Sequence, residues 1–250
     1  MRIAWESNGA GEPLLLIQGL GYARWGWDPV VSGLAEQFRV LTFDNRGIGE
    51  SDVPPGPYTA RGMAADALQV LDEAGAAHAH VLGASLGGMV AQELAVAAPE
   101  RVERLVLCCT TPGGRAAVPM PAVTVRLLEE AATLAPEVAF KRFIENALGP
   151  EPPEGLVDEL LRRRLANPPD PAGWQAQAAA GTTFPGVDAT IEAPTFVLHG
   201  TADNVVHVGN ADLLARMIPN ARSELFPGAG HLFFWEQPDR FVRIVKEFLQ

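Results

Sequence analysis

Cysteine is nearly missing from this chain: among 250 residues there are two, Cys108 and Cys109, adjacent in the apolar run "LVLCC". Neighbours on a strand point to opposite faces, so the pair reads as buried filler on two sides of a sheet. No CxxC or HExxH spacing occurs, and neither a metal nor an organic cofactor is expected. Basic residues are also scarce, with 19 Lys and Arg against 30 Asp and Glu and a net charge of −11. Such a chain repels phosphate backbones and anionic lipid at long range, which argues against nucleic-acid and membrane-surface partners. No apolar run approaches the length of a membrane span. The opening "MRIAWESNGAGEP" lacks the basic, apolar, small-residue order of a secretory leader, so a soluble cytoplasmic protein is expected, as monomer or homodimer.

What is present is apolar and periodic: 48% of residues are hydrophobic, enough for one sizeable core. Short apolar runs stand at 13–19 ("PLLLIQG"), 38–44, 79–85, 102–109, 194–200 and 221–227. Their near-continuous apolarity suits strands covered on both faces, and the helical patterns between them indicate parallel βαβ units. Asp28 with Pro29 opens one helix, and Thr59 to Gly75 frames another as cap and terminator. Phe241, Ile244, Val245 and Phe248 recur at helical spacing, which predicts an amphipathic closing helix. Between Pro112 and about Thr190 the alternation stops and only helical patterns remain, parted by "GPEPPEG" and "NPPDP". The expectation is an α/β core over 1–111 and 191–250, with an all-helical insertion over 112–190.

"GASLG", residues 83 to 87, is where chemistry enters. A nucleophile on a sharp strand-to-helix turn needs small residues two before and two after it, and Gly83 and Gly87 supply them around Ser85. Over five residues a glycine-rich loop with one polar side chain looks the same. A serine, however, attacks only if a base takes its proton, and that base needs an acid to orient it. Of five histidines, His78 and His80 fall at the far end of the strand from Ser85 and read as surface or capping residues. His199 reads as strand-end packing and His207 as an exposed loop residue. His231 in "FPGAGHLFFWEQP", after the last strand, is the best base. For the acid, "VLHGTADNVV" puts Asp203 just after a strand, at the carboxyl edge where open α/β sheets build sites. Any one of these has a bland explanation; three in the order Ser, Asp, His, each after a strand, do not. An oxyanion would need two backbone N–H donors, one from Leu86 and the other from the loop "IQGLGYARWGW".

With "LLLIQGLG", "LTFDNRGIGESD", "LGASLGGMVAQELA", "VLHGTADNVV" and "GAGHLFFWEQP" in this order, nearly the whole chain resembles the α/β-hydrolase superfamily. Its general look is similar to enol-lactonase-like and small carboxylesterase-like members. The resemblance implies a mostly parallel sheet of seven or eight strands flanked by helices, and a helical cap inserted over the serine. It implies Leu20 as the second donor, with Gln18-Gly19 where relatives carry His-Gly. It also implies a scaffold role for Asp44, Asn45, Arg46 and Gly47. Trp25, Trp174, Val205 and Leu232 are the expected pocket walls. Arg162, Arg163 and Arg164, at consecutive helical positions, read as a solvated face.

The expected activity is hydrolysis of a small carboxylic ester or lactone through an acyl-enzyme on Ser85. Three rivals use the same residues: hydrolysis of carbon–carbon bonds in vinylogous diketones, perhydrolysis, and ligand sensing with slow turnover.

Overall fold

A computed structural model of the chain describes residues 1–131 and 133–250. Seven strands form one sheet: β1 (Trp5–Asn8), β2 (Glu12–Ile17), β3 (Phe38–Phe43), β4 (Ala79–Ala84), β5 (Val102–Cys108), β6 (Thr195–Gly200) and β7 (Ala221–Phe226). Their order is β1-β3-β2-β4-β5-β6-β7; only β1 runs antiparallel, against β3. The other pairings are parallel, so the carboxyl ends of β2 to β7 share one edge.

The period-two alternation of the strands divides the core. Leu15, Ile17 and Val81 face one layer, and Leu14, Leu16 and Leu82 the other. The first layer holds α2 (Ala60–Glu73), α3 (Leu86–Ala97) and α8 (Gly209–Met217); the second holds α1 (Asp28–Ala35), α9 (Phe233–Glu236) and α10 (Pro238–Leu249). Thr59 caps α2, its side chain accepting from Gly62 N at 3.0 Å, and Gly75 leaves that helix at φ 64°. Phe241, Ile244, Val245 and Phe248 are the buried stripe of α10. At α1 the expected cap is displaced by one residue: Asp28 is already helical, and its carboxylate pairs with Arg163 instead of the helix amides.

Between β5 and β6 lie four helices, α4 (Ala122–Ala131), α5 (Pro136–Ala147), α6 (Leu156–Ala166) and α7 (Pro171–Thr182), with no strand among the described residues. One cysteine expectation fails here. Cys108 ends β5, but Cys109 turns to φ 41°, so both thiols pack into the same layer rather than opposite ones.

Candidate active site

Ser85 follows β4 directly and precedes α3, at φ 56° and ψ −120°. An L-residue holds that conformation only where its surroundings over-determine it. Here they do: Ser85 N donates to Cys108 O at 2.9 Å, and Ser85 O accepts from Thr110 Oγ1 at 2.7 Å and Gly88 N at 2.9 Å. Both flanking glycines are required by contact. A Cβ on Gly83 would meet the Gly87 carbonyl carbon at 2.6 Å, and one on Gly87 the Ile17 carbonyl carbon at 2.7 Å. Strand β2, the Ser85 turn and α3 therefore close together as only glycine permits.

Asp203 follows β6 and His231 follows β7. The loops carrying them are stitched by Thr201 N donating to Phe226 O and Ala202 N donating to Ala229 O. Asp203 Oδ1 accepts from the amides of Val205 and Val206 at 2.7 and 2.9 Å. Its Oδ2 lies 2.8 Å from His231 Nδ1 and 3.0 Å from His199 Nε2. Burial disfavours the Asp203 charge, but the two imidazoles and their hydrogen bonds outweigh it and hold the carboxyl well below the usual carboxylate range. For His231 burial opposes protonation, and the Asp203 charge overcomes it, raising the imidazole well above its ordinary value. His231 is set by its neighbours: Gly230 N donates to Glu236 Oε1 at 2.7 Å, and Leu232 N to Ala147 O at 3.1 Å. With Nδ1 turned to Asp203, Nε2 is the ring nitrogen left for proton transfer. The Ser85 hydroxyl makes no hydrogen bond among the described residues; such contacts commonly tighten only with substrate in place.

Two of these neighbours escaped the sequence reading. His199 is fully buried on the Asp203 carboxylate rather than idle at a strand end, and its Nε2 is also 3.0 Å from Val206 O. The spacing of four residues across the end of β6 is the signal that could have found it. Cys109 is buried near His231, and burial pushes its thiol up to about 11.

Leu86 is the first residue of α3, where helix amides lack intrahelical acceptors, and Leu20 follows Gly19, which stands against Ser85. Gln18 serves the loop in place of the expected histidine: its Oε1 accepts from Gly19 N at 2.8 Å, while Asn45 Nδ2 donates to Gln18 O at 2.8 Å. The Asp44 turn braces it further, since the Asp44 carboxylate accepts from Arg24 N, Arg24 Nη1 and Glu50 N. Trp174 lies against Gly21, and Trp25 packs between Tyr22 and Trp235 with ring centroids 5.1 and 6.3 Å away. Leu232 is buried in the second core layer, with Val205 packed at its margin. A surface cavity of about 320 Å³ beside Asp28, Leu156, Arg163 and Trp235 contains none of the three residues Ser85, Asp203 and His231.

Two expectations are corrected by burial. Of the arginine triplet only Arg162 is exposed: Arg163 is half-buried, and Arg164 is 8% exposed and stacked 3.9 Å from the Tyr22 ring centroid. The stacking and a carbonyl of the loop after β2 draw it inward. His80 is buried rather than surface, because its neighbours on β2 and β5 offer Glu12, 3.2 Å from Nε2, and Glu103, 3.7 Å from Nδ1. These three could converge on an ion, their ligand atoms lying within 4.8 Å of one another, but they sit at the amino end of β4, away from Ser85.

A parallel sheet with a strained serine after one strand and a carboxylate–imidazole pair after two others defines an α/β-hydrolase. The sequence agrees: the family model for the alpha/beta hydrolase fold matches residues 12–238, and the chain belongs to that family. It is 33% identical over 250 residues to a Mycobacterium tuberculosis protein named provisionally as the non-heme bromoperoxidase BpoC, covering 96% of this chain and 94% of that protein. It is 32% identical over 249 residues to a pimeloyl-[acyl-carrier protein] methyl ester esterase of Nitrosomonas europaea, covering 95% of each. The enol-lactonase from Burkholderia xenovorans superposes with a TM-score of 0.85 at 26% identity, over 99% of this chain and 96% of that one. No helix among the described residues is long and apolar enough to cross a membrane.

Proposed function

We propose that this hydrolase cleaves a small carboxylic ester or lactone through an acyl-enzyme on Ser85. The observation that carries the reading is the buried Asp203–His231 pair, 2.8 Å apart, at the sheet edge where the Ser85 turn is held in strain. His231 Nε2 takes the Ser85 proton as Oγ bonds to the acyl carbon. The carbonyl oxygen becomes an oxyanion held by the amides of Leu86 and Leu20, each such donor being worth roughly 10²–10³ in rate. The intermediate collapses as His231 returns the proton to the departing alkoxide, leaving the acyl group on Ser85. Water, deprotonated by the same imidazole, then releases the acid and restores the serine. Asp203 fixes the tautomer and stabilises the imidazolium formed in each half.

The segment 112–190 acts in this reading as a lid that shapes the pocket and sheds water, with Trp25, Trp174, Val205 and Leu232 as walls. Ester over other hydrolysable bonds is supported by the ester and lactone chemistry in the names of two of the three relatives above. Ser85→Ala assayed on short p-nitrophenyl esters, with fluorophosphonate labelling alongside, is the test. Loss of both turnover and label is expected, and unchanged turnover would end the proposal. The bromoperoxidase name of the third relative favours a second reading, perhydrolysis of a carboxylic acid, which would appear as peroxide-dependent halide oxidation in acetate buffer.

A further inference from the structure

Gly21, one residue beyond Leu20, gives both of its backbone groups to side chains from the helices between β5 and β6. Its N–H donates to Gln177 Oε1 of α7 at 3.0 Å, and its carbonyl accepts from Arg164 Nη1 of α6. Gln177 is fully buried and fixed from behind, its Nε2 donating to Arg46 O at 2.8 Å. Arg164 lies over the rings of Tyr22 and Trp25, both in the same loop, and among the described residues it has no carboxylate within ion-pair distance. A guanidinium buried without a counter-ion is unfavourable, and the aromatic faces with the Gly21 carbonyl are what offset it. Trp174 closes the other side, where a Cβ on Gly21 would meet its Cδ1 at 2.7 Å. On the opposite flank of Leu20, Gly19 N is held by Gln18.

An amide stabilises an oxyanion only if it is fixed in place before the charge develops. The Leu20 amide hangs between two clamped glycines, and one of the two clamps is built from α6 and α7. We propose that Arg164 and Gln177 are positioning residues for the Leu20 amide, so that docking of α6 and α7 and completion of the donor pair are one event. The inference rests on the serine-hydrolase reading above and assigns to two lid side chains a role in the oxyanion site.

The test compares p-nitrophenyl butyrate with its thionoester in Arg164→Met, Arg164→Lys and Gln177→Met. Sulfur accepts hydrogen bonds poorly, so the ester-to-thionoester ratio of kcat reports the donors, whereas a looser fold lowers both rates together. The ester kcat is expected to fall roughly 10- to 100-fold with KM changed less than about threefold, and the ratio to fall with kcat. Arg164→Lys should recover part of both. A wild-type ratio in folded Arg164→Met or Gln177→Met overturns the proposal. Should Arg164→Met fail to fold, Gln177→Met decides in the same way. Ser85→Ala in the same assay separates the two levels. If it is inactive while the ratios are unchanged, only the positioning role is lost; if it turns over the ester, the serine reading is lost and the positioning role with it.

Discussion

Replacing Gly87 by alanine adds one methyl group where β2 and the serine turn touch. The new Cβ would stand 2.7 Å from the Ile17 carbonyl carbon and 2.8 Å from the Gln18 carbonyl oxygen, against an ordinary contact of 3.4 Å or more. Both neighbours are backbone, so no side chain can swing away, and the turn must part from β2. The two surfaces forced apart carry Ser85 and the loop leading to Leu20, and a displacement approaching 1 Å between them costs on the order of 10²-fold in rate. Overpacking of this kind destabilises by about 1–3 kcal/mol, or roughly 2–12 °C in Tm for a chain of this size. Gly181 in α7 is the matched control. A Cβ there meets only Leu86 Cδ1, at 3.7 Å, and Gly181→Ala should leave activity intact and stabilise by about 0.5–1 kcal/mol. The assay is kcat/KM on short p-nitrophenyl esters, the rate of fluorophosphonate labelling, and thermal unfolding by circular dichroism. Gly87→Ala with wild-type rate and Tm would refute the argument that close approach, rather than chance, puts glycine at this position.

The charge pattern sets the pH profile. Because Asp203 raises His231 above its ordinary 6.5, the neutral base is lost as pH falls through a value above 6.5; the acid limb of kcat/KM should lie there. Asp203→Asn should move that limb downward and lower kcat by about 10³–10⁴, and a limb unmoved in the variant would refute the pairing. The same pair should stabilise the fold most between the ordinary values of 3.8 and 6.5, where both groups are charged. That stability fades as pH falls through the depressed Asp203 value or rises through the raised His231 value, which urea unfolding across pH measures. Phe241→Ala, removing a fully buried ring from between Phe226, Phe233 and Phe234, should destabilise by about 3–5 kcal/mol in denaturant titration. Cys108 and Cys109 should resist iodoacetamide at pH 7.5 and both react in guanidinium, since burial raises both thiols; rapid native alkylation would refute their enclosure.

Much of the frame was legible because it depends on local pattern. Runs of apolar β-branched residues marked the strands from β2 to β7, Thr59 and Gly75 bounded α2, and the stripe of Phe241, Ile244, Val245 and Phe248 marked α10. Gly83 and Gly87 marked the turn of Ser85, and the positions of Asp203 and His231 after β6 and β7 could be read from the strands before them. What local pattern cannot express is contact across the chain. Arg164 reads as a solvated residue in the sequence because an arginine on a helix usually is; only the docking of α6 against a loop 143 residues away brings it to Tyr22 and the Gly21 carbonyl. His80 likewise reads as surface until β2 and β5 enclose it with Glu12 and Glu103.

Sequence alone determined the alternation of strand and helix, the glycine-flanked turn, and the order of serine, carboxylate and imidazole, since each follows from steric and periodic rules acting over a few residues. Tertiary structure alone decided that His199 shares the Asp203 carboxylate, that Cys109 turns after its strand into the same layer as Cys108, and that Gly21 is clamped by Arg164 and Gln177. These depend on which surfaces the parallel sheet brings together at its carboxyl edge, and hydrogen bonds between distant residues leave no periodic trace along the chain.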